Sequence, residues 1–294
     1  MQTEKSAISG KHYPMRMILK TAELSSAAWY DKRERVKTSD QQKRGPKTEL
    51  SDQDVLSQIK SHLEKPRFHG EGYIKIHRRL RQGDVKVGKN RVYRIMQEND
   101  LLNQKRGRSG SGRAHDGRII TQLPNQMWAT DGKQFYTKAE GKCWFVGVID
   151  HFNDEIKSFH LCKIFDRFAA LEPLRNAVRQ EFGSIEKGIC KGINIALRSD
   201  HGSQFDSKDF QKELQFLGIN YSPAFVRSPE CNGIIERFHR ILNEQIFYQN
   251  TFDNLEQAQE KIVKFIADYN HDWLLHRLKL KSPIDYKRMY YEQN

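Results

Sequence analysis

Cysteine is scarce in this chain. The four present, Cys143, Cys162, Cys190 and Cys231, lie far apart with no paired spacing, and none precedes position 143. Neither a disulfide framework nor a cysteine-type zinc module fits that distribution, and it points to a reducing, cytoplasmic compartment. Long apolar runs are also missing. The longest, Phe145-Val146-Gly147-Val148-Ile149, is far short of the roughly 20 residues a membrane span requires, so no membrane partner is expected. The N-terminus has no apolar stretch suited to a secretory signal. What the chain has in excess is positive charge. Against 37 Asp and Glu it sets 50 Lys and Arg, a net +13 over 294 residues, which calls for a polyanionic partner. With 37% hydrophobic residues, the composition is too apolar for a disordered basic tail.

The charge is unevenly placed. Residues 1–119 carry 27 basic and 14 acidic side chains, and residues 120–294 carry 23 of each. All the excess therefore belongs to the first part. The shift falls in a Gly-, Ser- and Arg-rich stretch from Asn103 to Pro124 that reads as a connector. Four regions follow: 1–48, N-terminal and helical; 49–102, a helix-turn-helix domain; 103–123, a basic linker; and 124–294, a larger domain with C-terminal helices.

Three short helices make up the second region. Val55, Ile59 and Leu63 recur at helical spacing between Ser51 and Pro66. A second helix spans about Tyr73 to Arg81, with Ile76 and Leu80 inward, and a third runs from about Lys89 to Glu98, with Val92, Ile95 and Met96 inward. The polar side of the third, Lys89, Asn90, Arg91 and Arg94, has the side-chain types that suit base edges and phosphates. Either it is a recognition helix or it is a solvated basic face, and the charge partition favours the former. Lys105, Arg106 and Arg108 in the linker extend the basic surface. Upstream, Pro14 to Tyr30 reads as another short helix pair.

After Pro124 the pattern changes to strands. Gln126–Tyr136, Cys143–Phe152 and Ile156–Ile164 read as a meander of two hairpins. Then come a helix over Arg167–Phe182, a buried strand over Ile193–Leu197, a helix over Ser207–Leu217, a strand over Ile219–Tyr221 and a long helix from Asn232. That order is α/β with a mixed five-stranded sheet. Three acids occupy telling positions in it: Asp131 on the first strand, Asp200 just after the fourth, and Glu236 near the start of the last helix, with 35 residues between the latter two. Strand ends are where α/β sheets place their chemistry. Carboxylates gathered there suit Mg²⁺, which takes hard oxygen ligands and in pairs stabilises both oxygens of a phosphoryl displacement. Asp150, at the end of the second strand, is assigned to a turn.

These residues carry a resemblance. Trp128-Ala129-Thr130-Asp131, Arg198-Ser199-Asp200-His201-Gly202-Ser203-Gln204-Phe205 and Ser228-Pro229-Glu230-Cys231-Asn232-Gly233-Ile234-Ile235-Glu236-Arg237-Phe238 resemble the D, D, 35, E core of retroviral-type integrases and insertion-sequence transposases. The first part is similar to the helix-turn-helix domain that precedes the core in the catalytic, OrfB-type frame of insertion elements, through Gly72–His77 and Arg91–Met96. The resemblance implies an RNase H-like sheet and an Asp131, Asp200, Glu236 metal triad. Two Mg²⁺ ions, replaceable by Mn²⁺, are implied with it. So is cleavage and joining of double-stranded DNA, element ends to target, by a homo-multimer in a synaptic complex. The implied setting is the bacterial cytoplasm and its nucleoid, with an upstream-frame partner or a frameshift fusion.

Other positions are assigned around the triad. Arg237, Arg240 and Asn232, which also suits the helix cap, are placed on DNA, and His201 either on substrate or bracing its loop. Glu236, Arg240 and Asn243 share a helix face opposite Phe238, Ile241 and Leu242. The chain departs from the family at Asn243, where a Lys or Arg is usual, and in the tail after Tyr269-Asn270, where His276-Arg277 is displaced. Those departures motivate a second reading, a catalytically impaired DNA-binding regulator of transposition. A plain nuclease is a third, and it leaves the basic first part unexplained.

Overall fold

The computed structural model describes residues 5–27, 29, 49–64, 66–103, 120–223 and 233–294. They fall into two compact units, Met1–Ser51 and Asp52–Asn294. In the first, α1 (Met15–Thr21) buries Leu19. The expected second helix of that pair lies largely outside the described residues, as do the linker residues Lys105, Arg106 and Arg108 and the cap residue Asn232.

The second unit opens with α2 (Asp52–Glu64), α3 (Tyr73–Gln82) and α4 (Lys89–Glu98). Val55, Ile59, Ile76, Leu80, Val92, Ile95 and Met96 are all buried, so the helical periodicity of the sequence is what packs them together. The sheet follows, with β1 (Met127–Thr137), β2 (Gly141–Asp150), β3 (Ile156–Cys162), β4 (Ala196–Arg198) and β5 (Asn220–Tyr221) in the order β3-β2-β1-β4-β5. The two hairpins are antiparallel, whereas β4 and β5 join in parallel. This is the expected mixed five-stranded sheet.

Each face of the sheet is covered. On one, Trp128, Val148 and Leu197 pack against α5 (Arg167–Phe182) and α6 (Lys208–Leu217). Asp166 caps α5 by accepting from two backbone N–H groups, Ser207 caps α6, and Gly218 ends α6 at φ +78°. On the other face, Ala129, Phe145 and Ile149 pack under α7 (Gly233–Leu242) and α8 (Leu255–Asp272). A last helix, α9 (Pro283–Gln293), closes the chain.

Two expectations need correction. The fourth strand begins at Ala196, not Ile193: the chain turns back through hydrogen bonds from the Ile193 and Asn194 N–H groups to the Cys190 carbonyl, and Asn194 sits at φ +60°. The long helix from Asn232 is interrupted. α7 ends at Leu242, a π turn occupies Asn243–Phe247, and α8 starts only after the Asn254 cap.

The helical region docks on the second face through the α2–α3 turn. Phe68 is buried in the same apolar cluster as α7 and α8, its ring 4.8 Å from that of Trp273 and 6.5 Å from that of Phe265. Gln245, in the π turn, donates to the His69 carbonyl at 3.0 Å and accepts from the His69 N–H at 2.8 Å. Arg67 pairs with Asp268 and Asp272, and Arg79 donates to the Asp272 carbonyl at 2.7 Å. Lys75 lies 3.6 Å above the Trp273 ring, where burial pulls its pKa down to about 8.

Candidate active site

Asp131 stands on β1 directly opposite Gly147 of β2. The glycine is required there, because a Cβ would lie 2.7 Å from the Phe145 ring. One Asp131 oxygen accepts from the Gly132 N–H at 2.7 Å, and the other is 3.5 Å from Nδ1 of His239 on α7. Burial raises the Asp131 carboxyl to about 7, and the charges of Asp200 and Glu236 add to that rise. His239 is buried as well, and that burial, helped by Lys133, lowers its pKa to about 3. At neutral pH the ring is therefore uncharged, and its contact with Asp131 is not an ion pair.

Asp200 follows β4, with one oxygen accepting from the Gly202 N–H at 3.0 Å. Ser199 anchors the turn: it is buried, and its hydroxyl lies 2.9 Å from both the Asp200 carbonyl and the Tyr221 hydroxyl. At Gly202 a Cβ would sit 2.4 Å from the Gln204 amide and 3.0 Å from the Asp200 carboxylate, so a side chain there would have to displace the Gln204 amide from beside the acid. Glu236 is on the outward stripe of α7, while Ile235, Phe238, Ile241 and Leu242 are buried beneath it. Partial burial holds its carboxyl above the ordinary value.

Asp131 thus lies within electrostatic reach of both other acids. Among the described residues, no three His, Cys, Asp or Glu side chains converge tightly enough to hold a metal ion. The donor set nevertheless fits a hard divalent cation. Crowded carboxylates that oppose one another's ionisation are relieved when a cation neutralises them.

Two matches to known domain families bracket this arrangement: an HTH-like domain over residues 51–109 and an integrase core domain over residues 217–276. An uncharacterized transposase-like protein of Haemophilus influenzae is 29% identical, over 69% of this chain and 94% of that protein. The transposase InsD for the IS2 insertion elements of Escherichia coli is 28% identical, over 81% of this chain and 79% of its own length. The chain is thus similar to insertion-sequence transposases and carries a match to their integrase core. The HTLV-2 integrase catalytic core domain, solved in complex with magnesium, aligns over 56% of this chain and 97% of its own, at 18% identity and a TM-score of 0.42.

The remaining assigned residues of the chain are distributed as follows. Lys89 and Asn90 are exposed on α4. Arg91 and Arg94 instead clamp Asp52 at the start of α2, at 2.7 and 2.6 Å, and Arg94 also reaches Glu98. Arg237, Arg240 and His201 are exposed, and Asn243 opens the π turn. Asp150 is wholly buried and accepts from the N–H groups of Asn125 and Phe152, which agrees with a turn role. The displaced Arg277 clamps the β2–β3 turn by pairing with Asp154 at 2.6 Å and donating to the carbonyls of His151 and Phe152. His239 was not singled out from the sequence. Its position three residues after Glu236, about one helical turn along α7, was the available signal.

Proposed function

We propose that this chain is a transposase that cuts DNA at the ends of its element and joins the freed 3′-OH to target DNA, using Mg²⁺ held by Asp131, Asp200 and Glu236. The observation that supports this most is the Asp131 carboxyl, raised to about 7 by burial with the charges of Asp200 and Glu236 adding to the rise. Two divalent ions bound there supply positive charge at the attacking and leaving oxygens of phosphoryl transfer. The chain's own residues do the positioning. The Gly132 N–H fixes one Asp131 oxygen and the neutral His239 ring abuts the other, while the Ser199–Tyr221 contact and the Gly202 N–H fix Asp200.

Division of labour is part of the proposal: residues 49–102 read element ends, and residues 124–294 carry the chemistry. As in its relatives' setting, the substrate is double-stranded DNA and the working form a multimer on paired ends. Asp131→Asn and Asp200→Asn should each abolish Mg²⁺-dependent nicking of an end duplex. The loss should exceed the roughly 10–100-fold typical of changes one shell further out, and DNA binding in EDTA should survive. Nicking at the wild-type rate by either variant would rule out the assigned acids.

A further inference from the structure

The face of the sheet that bears the acids changes sign along its strands. In register, Ala129 of β1 pairs with Ile149 of β2 on one side and Arg198 of β4 on the other. These side chains share a face with Asp131, two residues further along β1. His151 continues the same row beyond Ile149, where its N–H bonds the Met127 carbonyl. Acids therefore stand at one end of this face and an arginine and a histidine at the other.

The basic end is unsatisfied. Arg198 is only 5% exposed, yet among the described residues its Nε and Nη1 have no hydrogen-bond partner. Its one bond among them is long, 3.4 Å from Nη2 to the Ser222 hydroxyl. His151 is 3% exposed, and both its ring nitrogens lack a partner among the described residues. A guanidinium buried without a counter-charge is costly, and a single long bond holds it weakly in place. Arg277, which donates to the His151 and Phe152 carbonyls, is also committed to Asp154. What would satisfy Arg198 and His151 together is an anion with several acceptor oxygens.

We propose that Arg198 and His151 form a phosphate-binding subsite that holds a non-reacting phosphate of the DNA strand beside the acid cluster. The assignment rests on the reading that the chain acts on DNA. Arg198 is two residues before Asp200, a strand rise of about 7 Å, so the subsite fits a phosphate neighbouring the reacting one. Arg198 swings from Ser222 to the phosphate, and the His151 ring donates a second bond.

The test uses full-length protein in EDTA and duplexes of the element's own terminal sequence. Each duplex carries one neutral methylphosphonate at a single phosphate near the cleavage point. For the wild type, one position should weaken binding about 10-fold or more, the range of a lost charge-assisted bond. Arg198→Met should bind the unmodified duplex more weakly and be insensitive to that same position, and His151→Phe should show part of the same insensitivity. Thermal melting confirms that the variants are folded; replacing an unpaired buried charge by Met should leave stability unchanged or raised. A folded Arg198→Met protein with the wild-type pattern of sensitivities would overturn the subsite while leaving the DNA reading intact. Failure of the wild type to bind any of the duplexes would overturn the DNA reading itself, and the subsite with it.

Discussion

At the scale of residues, the buried charges around the sheet do different work on either side of it. Lys157 on β3 is buried between Glu155 and Glu181, at 3.0 and 2.7 Å, and Lys287 of α9 joins them at 3.0 Å from Glu181. Burial alone would raise the Glu181 carboxyl, but the two lysines and a bond from Asn125 bring it down to about 2. A depressed carboxyl contributes stability that is present above its unfolded pKa, near 4.5, and lost as pH falls through the folded value. Glu181→Gln should therefore lower stability by about 1–3 kcal/mol at pH 7. Urea melts should show that gap closing between about pH 4.5 and 2; a gap independent of pH would contradict the ion-pair account. The sequence puts Asp131 on the first strand, Asp200 just past the fourth and Glu236 in the first turn of a helix, and the structure has them at those places. Arg198, His151 and His239 were not legible in this way, because what marks them is a missing partner or a contact across elements, and neither is written in local spacing.

Elements were legible where apolar periodicity was strong. The bounds of α4 and α5 coincide with the sequence reading, and the three-strand meander followed from its alternation and turns. The weak points were places where tertiary contacts decide. The π turn at Asn243–Phe247 has no local signature, yet it turns Gln245 to the His69 backbone. The third helix of the helix-turn-helix illustrates the same limit. Sequence gives four outward polar side chains, whereas the structure ties Arg91 and Arg94 to Asp52. To engage DNA these two must exchange a carboxylate for a phosphate. Asp52→Asn removes the competitor, so DNA affinity should rise and the slope of log affinity against log salt should steepen by about 1. The loss of an acid from the first turn of α2 should cost at most about 1 kcal/mol. Unchanged affinity and slope would show that α4 does not contact the backbone through these arginines.

For the whole molecule, the net charge of +13 describes an architecture. The excess lies in the part that carries the helix-turn-helix, while the sheet domain balances its bases with acids. Salt should accordingly weaken DNA binding far more than it slows cleavage of DNA already bound. Residues 52–294 cluster as one compact unit, and Phe68 lies in the core beneath α8. That single ring is invisible to periodicity, since it sits in a turn. Phe68→Ala should cost about 3–5 kcal/mol and split a single urea transition into two; a single transition at an unchanged midpoint would show that the docking contributes nothing.

The central claim is that the Asp131, Asp200 and Glu236 cluster joins DNA strands as well as cutting them. The direct measurement supplies a pre-cut end duplex with a free 3′-OH and a target plasmid, with Mg²⁺, to the wild type and to Glu236→Gln. The account predicts joined product from the wild type and none from the variant, with both still binding the end duplex. Joining by Glu236→Gln at the wild-type level, or a wild type that cuts DNA but never joins it, would contradict it.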